Sequence, residues 1–184
     1  MRTNLKTRDR AAATIQTAKS TRSGFKVGGV FTVECHGADG KLKWKDEAPN
    51  LITTEGIYKL LDVGCTGATA VATWYVGLVS ATPTIIAGNT LAVHAGWTEV
   101  TDYTGNRQEW VEARTLANVT NSASKAAFPI TGPVTVGGAF LASASTGTSG
   151  TLLCAAVFTG GNKAVASGDT LSVQYDVSAA DDGV

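Results

Sequence analysis

The sequence predicts an all-β fold: an antiparallel β-sandwich of jelly-roll or immunoglobulin-like kind, with one short helix and an extended basic N-terminal arm. Three observations carry this. About eight short segments show strand character, several alternating apolar and polar residues with period two. Glycine is abundant, at 21 of 184 residues, and falls between those segments in turn-forming clusters such as Asp39-Gly40 and Gly160-Gly161-Asn162. Charged residues make up only 16%, below the ~25% of an ordinary globular chain. Small residues (Ala, Ser, Thr) fill much of the remainder.

Charge divides the chain. Residues 1–26 carry seven basic side chains (Arg2, Lys6, Arg8, Arg10, Lys19, Arg22 and Lys26) against Asp9 alone, a net of +6. The remaining residues carry eight basic and 14 acidic groups, a net of −6, so the formal total is zero. In residues 1–24 only Leu5 and Ile15 are built to anchor in a core. That is too little apolar surface to offset the entropy of ordering the segment alone, and an arm that orders on a partner is expected. Three regions follow: an arm over 1–26, a sandwich domain over 27–178 and an acidic tail over 179–184.

The first element is a hairpin over Val27–Trp44, in which Phe31, Val33 and Cys35 face one way and Thr32, Glu34 and His36 the other. Leu42 and Trp44 face inward on the return strand, and the three lysines beside them discourage edge-to-edge pairing. Pro49-Asn50 then breaks the strand. Leu51–Val63 reads as the helix of the body: Thr53 or Thr54 caps it, Glu55 suits its first turn, and Gly64 stops it. Ile57, Leu60 and Leu61 form its apolar stripe, and the short helix is expected to plug one end or face of the β-structure.

The stretch Ala72–Trp110 holds three of the four tryptophans and is expected to supply the core's large rings. Thr73–Val79 reads as an inner strand covered on both sides, with Gly77 making room for a neighbouring ring or backbone. The loop Ala81–Ala95 is long for a structureless connection, so it either carries function or threads along the outside of a sheet. Trp97–Tyr103 reads as a strand near an edge and Arg107–Arg114 as another. Farther on, strands are expected at Lys125–Ile130, at Val134–Ala142 with a bulge or close contact at Gly137-Gly138, at Thr151–Phe158, and at Thr170–Ser178. In the last, Leu171, Val173, Tyr175 and Val177 face in.

Chemistry-bearing residues are sparse. Cys35, Cys65 and Cys154 form neither a disulfide framework nor a zinc pattern and are expected as buried, reduced thiols, as in a reducing cytoplasm. No catalytic, cofactor or metal residues are expected. His94 with Glu99 and a serine would be the raw material of a hydrolytic triad, but no nucleophile-elbow pattern accompanies them. Glu99/Asp102 and Glu109/Glu112 match a glycosidase carboxylate pair only loosely. The arm lacks the interleaved aromatics of single-strand binders and the body is acidic, so an acidic protein surface is favoured over nucleic acid. No apolar run approaches the ~20 residues of a membrane span, and no signal-peptide core follows the first charges.

Several stretches taken together are similar to a known class: Phe31-Thr32-Val33-Glu34-Cys35 with Asp39-Gly40 and Trp44; Asn50-Leu51-Ile52-Thr53-Thr54-Glu55-Gly56; Thr73-Trp74-Tyr75-Val76-Gly77-Leu78; Ala87-Gly88-Asn89-Thr90; His94-Ala95-Gly96-Trp97-Thr98-Glu99; and Val136-Gly137-Gly138-Ala139-Phe140-Leu141. Over residues 27–178 the chain resembles small structural proteins of tailed-bacteriophage virions. Asn89 stands where a Gly-Asp-Thr turn would carry an acid, as Gly168-Asp169-Thr170 does. The resemblance implies a virion component, assembled in the host cytoplasm. Combined with the basic leader, it leads to the expectation of a capsid decoration or cement protein that is a homo-oligomer, with a trimer as the first form to look for. Arg2, Lys6, Arg8, Arg10, Lys19 and Arg22 would bind acidic patches of the major capsid protein. A tail, fibre or connector component, or a carbohydrate-binding module, are the alternatives.

Overall fold

The structure is a computed structural model and describes residues 24–181. Two antiparallel sheets pack face to face, as the alternating segments predict. The first contains β1 (Phe25–His36), β2 (Leu42–Pro49), β7 (Ala113–Thr115), β8 (Asn118–Thr120), β9 (Ala126–Pro129) and β13 (Thr170–Asp181). Its order is β2-β1-β13-β8-β7, with β9 also paired to β13. The second contains β3 (Leu51–Ile52), β4 (Tyr75–Ser80), β5 (Glu99–Val100), β6 (Gln108–Glu109), β10 (Val134–Ala142), β11 (Leu152–Val157) and β12 (Lys163–Val165). Its order is β3-β11-β10-β4-β5, with β12 paired to β10 and β6 to β4.

The spine of the first sheet is the β1–β13 ladder, unbroken from Phe25↔Asp181 to His36↔Thr170. β1 therefore starts two residues inside the expected arm, and β13 takes in three residues of the expected tail. Phe31, Val33 and Cys35 from β1, with Leu171, Val173 and Tyr175 from β13, enter the space between the sheets. There they meet Val76 and Leu78 of β4, Leu141 of β10 and Cys154 of β11. This is the alternation read from the sequence, and all ten of these side chains are fully buried.

A second apolar cluster lies on the opposite face of the second sheet, where Val79, Phe140, Ala142 and Leu152 are covered by Leu91 and Trp97. The loop between β4 and β5 thus threads the outside of the sheet, one of its two expected roles. With both faces covered, β11 and the part of β10 from Val136 onward are apolar throughout instead of alternating. Gly77 lies against the ring of Phe140, which a Cβ there would overlap. The β10–β4 register shifts between Val136 and Gly138, which makes Gly137 the bulge residue.

Four expectations need correction. Leu51–Ile52 is not helical but pairs with β11, and the helix α1 runs only over Thr54–Leu61. The chain then widens into a π turn, Asp62–Thr66, that ends at Gly67 with φ 73°, not at Gly64. Arg107–Arg114 is not one strand: Gln108–Glu109 joins the second sheet and Ala113–Thr115 the first, with Trp110 buried where the chain crosses between them. In Trp97–Tyr103 only Glu99–Val100 pairs as strand, because Trp97 packs outside the second sheet while Tyr103 packs between the sheets.

Candidate functional site

One end of the sandwich gathers the features that suit contact with another surface. Its framework is the first turn of α1. The Thr53 hydroxyl accepts the Gly56 N–H at 3.0 Å and donates to the Leu152 carbonyl at 2.5 Å. One carboxylate oxygen of Glu55 accepts the backbone N–H groups of Leu152 (2.7 Å) and Leu91 (3.1 Å). Gly56 rests directly on the Leu153 backbone, so close that a Cβ would collide with it.

The helix is thus fastened to β11 by polar bonds and one glycine, and Gly56 is its only buried residue. The helix does cover part of the second sheet, but through its first turn and not through its apolar stripe. Ile57, Leu60 and Leu61 stand 46%, 42% and 44% exposed. The stripe borders a groove of about 500 Å³ between α1 and the start of β1, whose walls include Phe25, Val27, Ile57, Leu60, Leu61 and Cys65. Phe25 is itself 66% exposed. Together these form an apolar surface of the kind that marks an interaction site.

Arg2, Lys6, Arg8, Arg10, Lys19 and Arg22 lie outside the described residues. The structure does fix where they join the body: Gly24 leads straight into Phe25 on the groove wall. Sequence reading found the arm and the stripe separately and missed that they meet. The available signal was Gly56 in the first helical turn, which marks a close backbone approach there and turns the opposite face outward.

The other candidate residues take structural positions. Glu99 is held by both Nε and Nη2 of Arg107, at 2.8 and 2.7 Å, and not by a histidine. The His94 ring stacks on Trp97 with centroids 3.9 Å apart, and its Nδ1 lies 3.1 Å from the Trp97 carbonyl oxygen. Trp97 and Trp110 are buried as expected, with Nε1–H groups donated to Asn89 Oδ1 (3.2 Å) and the Tyr175 carbonyl (3.1 Å). Trp74 is partly buried against the same core. Burial also pushes the Tyr103 phenol up to about 12, with Glu99 adding to the effect.

The cysteines divide. Cys35 and Cys154 are buried, and desolvation raises both thiols to about 11. Cys65, expected to be buried, is exposed on the groove. Among the described residues no group of three or more His, Cys, Asp or Glu side chains is placed to hold a metal ion, and no helix is long and apolar enough to cross a membrane.

No family model matches the sequence, and a search of curated proteins gives no match.

Proposed function

We propose that this protein is a structural component of a tailed-bacteriophage virion, a capsid decoration or cement protein that binds the major capsid lattice through its basic arm. The observation that carries the reading is the division of charge, +6 over residues 1–26 against −6 over the rest. The arm joins the body beside an exposed apolar groove. The resemblance set out above supplies the phage context.

A weakly apolar, cationic leader can lie across several subunits, and attachment at more than one point raises avidity without a large interface at any one. Repeated polar bonds hold the body's loops in place, which suits a part whose work is mechanical. The major capsid protein would offer acidic patches to Arg2, Lys6, Arg8, Arg10, Lys19 and Arg22.

The test is co-sedimentation of the full-length protein with purified heads that lack it. The expected result is saturable binding that weakens as salt screens the arm. Replacing those six cations by glutamine should abolish it. Equal binding by the substituted protein would overturn the reading. Electron microscopy of decorated particles would separate a lattice-wide cement from a component confined to the tail or one vertex.

A further inference from the structure

We propose that the groove between α1 and the start of β1 is the docking site for residues 11–18 of the same chain, with Ile15 as the anchor. This stands whether or not the arm's cations bind a capsid.

The groove is apolar and open, and its lining residues Ile57, Leu60 and Leu61 form a stripe that nothing in the described residues covers. The leader contains one segment of matching chemistry. Residues 11–18 (Ala-Ala-Ala-Thr-Ile-Gln-Thr-Ala) are an eight-residue run without charge, and Ile15 is the one large aliphatic side chain in it. Leu5, the other large aliphatic, sits among charges at Arg2, Lys6 and Arg8.

Chain geometry favours the same molecule. Residues 19–24 link the run to Phe25, and six residues span up to ~20 Å. Because Phe25 is on the groove wall, the tether needs only to fold back on itself, and Gly24 at the junction permits a sharp reversal. Such a short tether makes docking intramolecular, at an effective concentration a second copy does not reach in dilute solution.

Charge agrees with this placement. Arg8 and Arg10 precede the run, and Lys19 and Arg22 follow it. The seated run would leave its flanking cations at the surface, available to a partner.

Cys65 on the groove wall makes the proposal directly testable in the full-length chain. Thr14→Cys and Thr7→Cys variants, which leave the Ile15 anchor in place, are oxidised at low protein concentration with copper(II)-phenanthroline, which joins two thiols as a disulfide. Products are mapped by mass spectrometry and non-reducing electrophoresis. The expected result is an intrachain bond from position 14 to Cys65 that forms about tenfold faster than from position 7, because docking raises the local concentration. Adding Leu60→Asp at the exposed groove wall should slow the position-14 bond to near the position-7 rate.

Equal rates from the two positions, no bond at all, or indifference to Leu60→Asp would each overturn the proposal. A disulfide formed only between two chains would also overturn it and assign the groove to a second copy. Loss of head binding without change in these rates would bear on the capsid reading alone.

Discussion

Asn89 and Asp169 close the same turn in two parts of the molecule. Each donates its backbone N–H to the carbonyl three residues earlier, Ile86 at 3.0 Å and Ala166 at 3.1 Å. Each side-chain oxygen then accepts the N–H of that same residue, at 3.0 and 2.9 Å. The second partner differs. Asn89 Oδ1 takes the neutral indole N–H of Trp97, whereas Asp169 Oδ2 takes the Lys43 ammonium at 2.7 Å. The amide and the carboxylate are thus matched to the charge of what faces them.

Asn89→Asp should therefore destabilise the protein. The new carboxylate would be buried between two neutral donors, and a buried polar group so mismatched costs about 1–3 kcal/mol. Urea unfolding near neutral pH measures the loss. The gap to wild type should narrow as pH falls through the carboxyl range, since a protonated Asp is again neutral.

Acid should weaken the wild-type fold through three paired carboxylates. Lys43 holds Asp169 below the usual carboxylate range, and Lys125 does the same for Glu34. At Asp46 burial pushes upward, but the bonds from Lys163, Thr159 and Gly160 prevail and lower it. Folded values below unfolded ones mean that the stabilisation is complete above the unfolded value of ~4 and is lost as pH falls through the folded ones. Unfolding midpoints should thus decline below about pH 4. Asp169→Asn should lower stability at neutral pH and make the acid decline shallower; an unchanged slope would show that this pair contributes nothing.

Gly77→Ala should cost about 1–3 kcal/mol, the usual penalty for overpacking. The Phe140 ring it would strike has little room to retreat, with the Trp97 ring centroid at 5.2 Å and the Arg107 guanidinium at 5.1 Å. Phe140→Leu removes the obstruction, so the double variant should be more stable than the two single losses predict. Strict additivity in a denaturation cycle would show that the contact is unimportant.

Legibility followed the length of each pattern. Over β1 and β13 alternation runs long enough to name the buried face, and Phe31, Val33, Leu171, Val173 and Tyr175 are all where it puts them. β7, β8 and β12 are three residues each, too short for a period to register. β8 and β12 carry no strand pattern of their own in the sequence. Trp97 and Tyr103 share an apparent period but are buried in different clusters, because alternation shows that a residue is apolar and not what covers it. The same ambiguity made the α1 stripe read as core: Ile57, Leu60 and Leu61 have helical spacing, and only the Gly56–Leu153 contact reveals which side faces the sheet. The charge of the arm was legible because it is compositional; its junction with the groove is tertiary.

Arg107 organises a region that no local pattern predicts. Its guanidinium forks onto Glu99, and its Nη1 and Nη2 also reach the Ala144 and Gly147 carbonyls at 2.8 and 2.7 Å. It thereby ties the small-residue loop after β10 to the strand β5. Arg107→Ala would leave Glu99 and two carbonyls without their donors, and breaking such an inward ion pair costs about 3–5 kcal/mol. Arg107→Lys keeps the charge but cannot fork, so it should rescue only part of the loss. Hydrogen exchange across residues 145–150 should accelerate in both variants while the β1–β13 ladder stays protected. If lysine restores full stability and slow exchange, the positive charge alone holds the loop and the planar fork is not needed.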